Sequence, residues 1–139
     1  MFTPYILMLL EHNNTILLLR RHNVSFGSGF YSLPGGKINV GEPARQAAIR
    51  EAHEELGITI AENDLTFTHI FHRKGQGEDL FAIVFKVTAW HGNPVNKEPE
   101  KHDDLQWFAW DKLPANILPA HRQALELIHK NISYSEHGW

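Results

Sequence analysis

Two short apolar runs lie near the start of the chain. Residues 5–10 (YILMLL) and 15–20 (TILLLR) are separated by the polar residues EHNN, which predicts two strands joined by a tight turn. Because both runs are almost continuously apolar, we expect the sheet that they form to be covered on both faces. Residues 22–36 (HNVSFGSGFYSLPGG) are rich in glycine and predict a loop after the second strand.

Helical spacing begins after this loop. Pro43 suits the first turn of a helix, and Gly57 suits the position just past its C-terminal end. The helix carries an apolar stripe that is predicted to pack on the sheet. The stripe consists of Ala48, Ile49, Ala52 and Leu56. The pattern therefore predicts a helix with one face held by the sheet and another face free for chemistry.

The rest of the chain alternates strands and helices. Residues 65–73 and 79–90 are rich in β-branched and aromatic side chains and predict a second hairpin. A polar loop over 91–104, a short strand at 105–110 and an amphipathic helix over 119–132 are expected to follow, with residues 133–139 frayed. This order predicts an α/β fold in which a mixed sheet lies between helical layers.

Composition narrows the class of protein. The chain has 139 residues, of which 42% are hydrophobic and 21% charged, so we expect one compact domain over residues 1–139. The net charge of −3 and the scattered lysines and arginines argue against a nucleic acid duplex as a partner. No apolar run is long enough to predict a membrane partner. The absence of cysteine excludes disulfides and thiol catalysis and fits a cytoplasmic protein. Composition leaves the oligomeric state open.

Three glutamates lie near the predicted end of the first helix. Glu51, Glu54 and Glu55 are three and four residues apart, so a regular helix would place them on one face. Like charges at these spacings cost about 0.2–0.5 kcal/mol per pair, and acids near a helix C-terminus cost about 0.3–1 kcal/mol more. Ala44 and Ala47 precede them on the same face and are expected to leave room beside the acids.

A divalent cation would turn this repulsion into coordination. Oxygen-only clusters suit Mg²⁺, with Mn²⁺ as a second candidate. Bound Mg²⁺ usually contacts substrate phosphates as well, and a carboxylate beside a metal-bound water can act as a general base. The acidic face therefore predicts metal-dependent hydrolysis of a substrate that carries a phosphate chain.

The residues around this face resemble a known signature, the Nudix box, here residues 36–58. Its seven fixed positions are occupied, at the family's spacing, by Gly36, Glu42, Arg50, Glu51, Glu54, Glu55 and Gly57. The resemblance to the Nudix hydrolase family implies an α/β/α sandwich with a mixed sheet between helices. It also implies hydrolysis of a nucleoside diphosphate linked to another group.

The same resemblance implies roles for single residues. Glu51, Glu54 and Glu55 are the expected metal ligands, and the carbonyl group of Gly35 is a further candidate. Either Glu51 or Glu54 is the expected general base. Arg50 is expected to support catalysis by holding the helix and the loop before it in place.

Many family members add one more glutamate from a later loop. Glu98 and Glu100 are the candidates in this chain, and the sequence NKEPEKHDD leads us to expect Glu100 as the metal ligand. The prediction rests on the resemblance, because exposed loop acids are common in proteins.

Substrate choice is expected to depend on residues outside the box. The arginine pair before Pro34 resembles that of MutT-type nucleoside triphosphate pyrophosphohydrolases, which implies that Arg21 contacts the nucleotide. Ser32, Tyr31 and Lys37 complete the predicted substrate-binding residues. Residues 59–90 contain neither the tyrosine nor the proline that resemblance to diadenosine polyphosphate or ADP-ribose hydrolases would require.

The leading hypothesis is a Mg²⁺-dependent enzyme that cleaves a nucleoside triphosphate to a monophosphate and pyrophosphate. One alternative is a hydrolase of another nucleoside diphosphate derivative, such as a nucleotide sugar or a dinucleotide. The other alternative is a nucleotide-binding module that keeps the fold without catalysis. The base and the sugar of the substrate stay open.

Overall fold

The computed structural model describes residues 2–139, which form eight strands and two α-helices. The strands are β1 (Phe2–His12), β2 (Thr15–Arg21), β3 (Tyr31–Ser32), β4 (Gly35–Lys37), β5 (Leu65–Arg73), β6 (Asp79–Val87), β7 (His102–Ala109) and β8 (Tyr134–His137). The helices are α1 (Ala44–Glu51) and α2 (Pro119–His129). A π-helical segment, Ala52–Leu56, continues α1, and a short 3₁₀ turn covers Glu62–Asp64.

The strands form one mixed sheet in the order β3-β2-β1-β6-β5-β8, with β4 also paired to β1 and β7 also paired to β2. The β1–β6 and β5–β8 pairs are parallel, and the other pairs are antiparallel. The first hairpin closes at Asn13 and Asn14, whose φ angles of 51° and 61° suit a tight two-residue turn. This confirms the mixed sheet expected from the sequence.

Helices cover both faces of the sheet. On one face, α1 and its π-helical continuation pack on a buried cluster that includes Ile6, Met8 and Phe85. On the other face, α2 packs on a second cluster that includes Leu7, Leu9 and Phe71. Alternate residues of β1 point to opposite clusters because side chains alternate along a strand. The α/β/α sandwich is thus the observed architecture.

The helix that carries the acids differs from its prediction in one respect. Ala47 is fully buried in the cluster under α1, and Ala44 packs against the same cluster. These alanines therefore pack against the cluster on the sheet and do not border an open space beside the acids by themselves. The acidic and sheet-facing surfaces overlap, because Glu51 and Glu55 follow Ala47 on the side of the helix that faces the sheet.

The C-terminal tail also differs from its prediction. Residues 133–139 were expected to be frayed, but Tyr134–His137 form β8 and pair in parallel with Ile70–Arg73 of β5. Tyr134 and Trp139 remain exposed, whereas Ser135 is buried. Short strands of this kind give a weak sequence signal because one of their faces is solvated. No helix within residues 2–139 is long and apolar enough to cross a membrane.

Candidate active site

The glycine pair of β4 lies directly beneath the acidic end of α1. β4 pairs with residues 5–7 of β1. Only a short loop separates the end of β4 at Lys37 from the start of α1 at Ala44. A Cβ atom at Gly35 would lie 2.0 Å from the carbonyl oxygen of Ile6, and one at Gly36 would lie 2.3 Å from Glu51 Oε1. A side chain at Gly35 would overlap the backbone of β1, and one at Gly36 would require the Glu51 carboxylate to move. Glycine therefore lets the backbone of β4 approach both β1 and the acids.

Arg50 joins several carboxylates into one hydrogen-bonded network. Its Nε and Nη2 donate to the two oxygens of Glu42 at 2.8 and 2.9 Å, and its Nη1 donates to Glu51 Oε1 at 2.8 Å. Nη1 also donates to Glu54 Oε2 at 3.3 Å, and Nη2 donates to the carbonyl of Lys37 at 3.0 Å. The hydrogen bonds from Arg50 hold the pKa of Glu42 at about 2. One guanidinium thus offsets part of the repulsion among the acids.

The three box glutamates occupy different environments. The side chain of Glu54 is 50% exposed, that of Glu51 is 14% exposed and that of Glu55 is 6% exposed. Burial raises the pKa of Glu51, although the hydrogen bond from Arg50 opposes this. The i→i+5 hydrogen bonding of the π-helical segment changes the angular spacing expected from a regular α-helix. Segments of this kind are frequent at functional sites.

Glu55 is the most deeply buried acid of the site. Its Oε1 accepts a hydrogen bond of 2.8 Å from the backbone N–H of Gly35. Burial raises its pKa well above the ordinary value for a glutamate, and the charge of Glu51 adds to this effect. A cation beside Glu55 would favour its charged form. The predicted metal contact of the Gly35 carbonyl stays a prediction.

A later loop brings two further side chains to Glu55. Ligand atoms of Glu55, Glu98 and His102 lie within 4.8 Å of one another, and the Nε2 atom of His102 is 3.6 Å from Glu55 Oε2. Backbone hydrogen bonds hold this loop in place. The N–H of His102 donates to the carbonyl of Glu98 at 3.0 Å, and the N–H of Lys97 donates to the carbonyl of Glu55 at 2.9 Å.

Of the two candidate loop acids, the structure brings Glu98 to the cluster. Glu100 is exposed and lies outside this group of ligand atoms. The backbone N–H of Glu98 donates to Asn96 Oδ1, and the amide of Asn96 donates to the carbonyl of His102, so the turn directs Glu98 inward. The spacing of the acids along the sequence could not distinguish them.

His102 lies at this cluster and was not among the residues predicted from the sequence. It was assigned to the exposed loop 91–104, but it begins β7 and is 6% exposed. Burial lowers the pKa of His102 to about 4, and the nearby charges of Arg21 and Lys101 contribute. Its position four residues after Glu98 was the only signal in the sequence.

A pocket extends from Glu55 towards the end of β5. It is lined by Arg21, Arg73, Phe26 and Ser32 together with Gly35, Gly36, Glu55 and His102. The guanidinium groups of Arg21 and Arg73 lie over the ring of Phe26, at 6.0 and 4.9 Å from its centroid. Arg21 and Ser32 are predicted substrate-binding residues, and both line this pocket. Arg73 was not among the predicted residues because it is distant from them in sequence.

Two predicted substrate-binding residues lie elsewhere. Tyr31 is 6% exposed and belongs to the cluster under α2, where its hydroxyl group donates to Asp104 Oδ2. Lys37 is exposed, and its backbone carbonyl accepts a hydrogen bond from Arg50. Neither side chain lines the pocket. The side chain of Tyr31 therefore packs in the core instead of lining the pocket.

The geometry agrees with the comparison to known proteins. The family model of the NUDIX domain matches residues 1–128. The chain belongs to the Nudix hydrolase family. A crystal structure of the MutT NUDIX hydrolase from Burkholderia pseudomallei superposes with a TM-score of 0.85 at 34% identity, covering 91% of this chain and 97% of that one. As a Nudix hydrolase, the chain is an enzyme.

Curated relatives of this Nudix hydrolase carry different names. It is 29% identical to the CTP pyrophosphohydrolase of Escherichia coli over 119 residues, which covers 85% of this chain and 84% of the relative. It is 42% identical to the ADP-ribose pyrophosphatase of Methanocaldococcus jannaschii over 106 residues, which covers 76% and 61% respectively. The chain spans between 40% and 61% of the length of several other relatives.

Proposed function

We propose that the protein is a divalent-metal-dependent pyrophosphohydrolase that cleaves a nucleoside triphosphate to a nucleoside monophosphate and pyrophosphate. The observation that carries this proposal is the pocket whose lining includes the buried Glu55 together with Arg21 and Arg73. A triphosphate needs both features, because its anionic chain must contact cationic groups and the metal at the same time.

Arg21 and Arg73 are suited to bind an anionic substrate. Within residues 2–139, neither Arg21 nor Arg73 forms an ion pair with a carboxylate; Arg21 Nε instead donates to the backbone carbonyl of Phe26 at 2.9 Å. Burial lowers the pKa of Arg21, and the charge of Arg73 contributes. Two guanidinium groups that share a pocket without a carboxylate partner are suited to phosphate oxygens, which accept paired N–H donors.

The acidic end of the pocket suits a divalent cation. Glu55 and Glu98 supply oxygen donors of one cluster, and Glu51 lies four residues before Glu55. Within residues 2–139, Glu55 is buried without a hydrogen bond from any cationic side chain. A divalent ion would polarise the phosphate and lower the pKa of a bound water. We take Mg²⁺ as the working cofactor, with Mn²⁺ as the alternative.

Glu54 is our candidate for the general base. Its carboxylate is half exposed and accepts a long hydrogen bond of 3.3 Å from Arg50, whereas that of Glu51 packs against Gly36 and accepts a shorter one of 2.8 Å. The oxygen of water forms a bond to phosphorus, and Glu54 takes a proton from that water. The anhydride bond breaks, and its electron pair leaves with the departing phosphate group, whose charge Arg21 and Arg73 would stabilise.

Substitution of Glu54 tests this assignment. We expect Glu54→Gln to lower kcat by about 10²–10⁴-fold because general-base catalysis contributes this much. Glu126→Gln, at an exposed position of α2, serves as the matched control with unchanged kcat. Products would be identified by ³¹P NMR. Near-normal turnover in Glu54→Gln, or products other than a monophosphate and pyrophosphate, would contradict the assignment.

A second candidate function is hydrolysis of another nucleoside diphosphate derivative. The 42% identity to a relative named ADP-ribose pyrophosphatase favours it. A panel of triphosphates, oxidised triphosphates, nucleotide sugars, ADP-ribose and dinucleotides would rank kcat/KM for the two candidates. Binding of a triphosphate with no turnover of any of these compounds would contradict both candidates. A cytoplasmic location stays a prediction.

A further inference from the structure

His102 differs in its hydrogen bonding from His69 and His121, whereas His72, which also has a buried ring nitrogen without a partner, stacks on Phe81. His69 is also fully buried, but its Nδ1 lies 2.8 Å from the carbonyl of Ile132 and its Nε2 lies 2.8 Å from Ser135 Oγ. The Nδ1 atom of His121 accepts a hydrogen bond from the N–H of Leu33 at 3.0 Å. The rings of His69 and His121 each have a structural role that their hydrogen bonds explain.

The ring of His102 lacks such an explanation. Its Nδ1 is buried and has no hydrogen-bond partner within residues 2–139. Its Nε2 lies 3.6 Å from Glu55 Oε2, which is too long for a hydrogen bond. Buried polar atoms in proteins are nearly always paired. Neither ring nitrogen therefore has a hydrogen-bond partner among the described residues, and Nε2, the nitrogen nearer Glu55, is the one placed to bind an ion beside that carboxylate.

The spacing of the surrounding atoms fits a shared cation. Ligand atoms of Glu55, Glu98 and His102 lie within 4.8 Å of one another. Two donors bound to one ion at about 2.1 Å each lie roughly 3.0–3.4 Å apart at octahedral to tetrahedral angles. The 3.6 Å between Glu55 and His102 is close to this separation. The alternative, an ion pair between a charged imidazole and Glu55, would bring the two atoms into hydrogen-bond contact.

The segment that carries Glu98 and His102 is held in place by its own hydrogen bonds. The N–H groups of Lys101 and His102 both donate to the carbonyl of Glu98, at 2.9 and 3.0 Å. Asn96 spans the turn, with its side chain accepting from the N–H of Glu98 and donating to the carbonyl of His102. This turn holds the backbones of Glu98 and His102 close together through contacts within the loop.

We propose that His102 is a nitrogen ligand of a divalent metal ion held together with Glu55 and Glu98. An imidazole in the ligand set shifts preference from Mg²⁺ towards transition metals, so the site would bind Mn²⁺ or Co²⁺ more tightly than Mg²⁺. The proposal concerns the same acidic centre as the proposed function. It does not depend on which nucleotide is cleaved, because it can be tested by metal binding alone.

Electron spin echo measurements on the full chain with Mn²⁺ and no nucleotide test the proposal directly. We expect modulation from a coordinated ¹⁴N nucleus, which changes to the ¹⁵N pattern when the protein is grown with ¹⁵N-histidine. The modulation should disappear in His102→Gln and persist in His53→Gln, which removes an exposed histidine of the box helix. Absence of nitrogen modulation in the unsubstituted protein, or its persistence in His102→Gln, overturns the proposal.

Affinity measurements provide a second readout. We expect His102→Gln to weaken Mn²⁺ binding by about tenfold or more, while Mg²⁺ binding changes by less than about threefold, since Mg²⁺ prefers oxygen ligands. Equal losses for both ions would indicate a general disturbance of the site and would overturn the nitrogen-ligand assignment. Circular dichroism establishes whether His102→Gln is folded, and His102→Asn replaces it if it is not. If the unsubstituted protein shows nitrogen coordination but hydrolyses no nucleotide, the proposed function is contradicted and the assignment of His102 as a ligand stands.

Discussion

At the scale of single residues, the hydrogen-bond partners of a side chain decide its role. Arg50 donates to Glu42, Glu51 and Glu54 and to a loop carbonyl, so it orders the acids and the approach to α1 together. Its neighbour Arg45 instead lies over the ring of Phe85, 5.5 Å from its centroid. Two arginines five residues apart on one helix therefore differ entirely in what they stabilise.

Protonation of His121 is predicted to affect stability. Burial lowers its pKa to about 3 in the folded protein, and the charges of Arg21 and Arg73 contribute. The unfolded chain binds a proton near the ordinary pKa of about 6.5. Stability should therefore be unaffected by His121 above this pH and fall as the pH drops from about 6.5 towards 3, by at most about 1.4 kcal/mol per pH unit.

The matched variant is His121→Asn, whose side-chain oxygen can accept the same hydrogen bond from Leu33. Urea unfolding between pH 5 and 7.5 should show a shallower loss of stability in this variant than in the unsubstituted protein. The window stays above the region where Glu42 begins to contribute, since its pKa of about 2 affects stability only below about 4.5. Identical pH profiles would show that His121 is not held neutral by its surroundings.

At the scale of elements, the close approach of β4 to β1 and α1 positions the acids. The two glycines of β4 have different neighbours. Gly35 faces the backbone of β1, which cannot move without disturbing the sheet, whereas Gly36 faces the carboxylate of Glu51, which can rotate. Substitution of the two glycines should therefore separate folding from function.

We expect Gly36→Ala to fold and to lose metal affinity and activity because the added methyl group displaces the Glu51 carboxylate. Gly35→Ala should mainly lose stability, by more than about 1–3 kcal/mol, since its Cβ would overlap the carbonyl of Ile6. Thermal unfolding and Mn²⁺ titration of both variants measure the two effects. A Gly36→Ala protein with unchanged Mn²⁺ affinity would mean that Glu51 is not a ligand.

The elements that sequence could predict are those whose signal is local. The box helix, its end at Gly57 and both hairpins follow from apolar spacing and turn residues. Contacts between distant segments leave no such signal. Arg73 reaches the pocket through the β5–β6 pairing, and His102 reaches Glu55 through the turn after Asn96. The choice between Glu98 and Glu100 likewise depended on the direction of a turn.

At the scale of the whole molecule, the C-terminal strand braces the edge of the sheet that carries part of the pocket. β8 pairs with Ile70–Arg73, and its last pair joins Arg73 to His137. Ser135 is buried and contacts His69 Nε2 at 2.8 Å, which fastens β8 to the same strand. Arg73 is thus held at the pocket by the end of the chain, far in sequence from the acids on α1.

Removal of residues 133–139 should therefore affect both stability and substrate binding. The loss of β8 removes Ser135, the partner of Nε2 of the buried His69, at a cost of about 1–3 kcal/mol for the unsatisfied group. It also frees the backbone of Arg73, so we expect KM for a nucleoside triphosphate to rise by several-fold while kcat changes little. Ser135→Ala breaks only the His69 contact and should lower stability without changing KM, and Ser133→Ala, at an exposed position, serves as the control. A truncated protein with an unchanged KM would show that β5 positions Arg73 without its C-terminal neighbour.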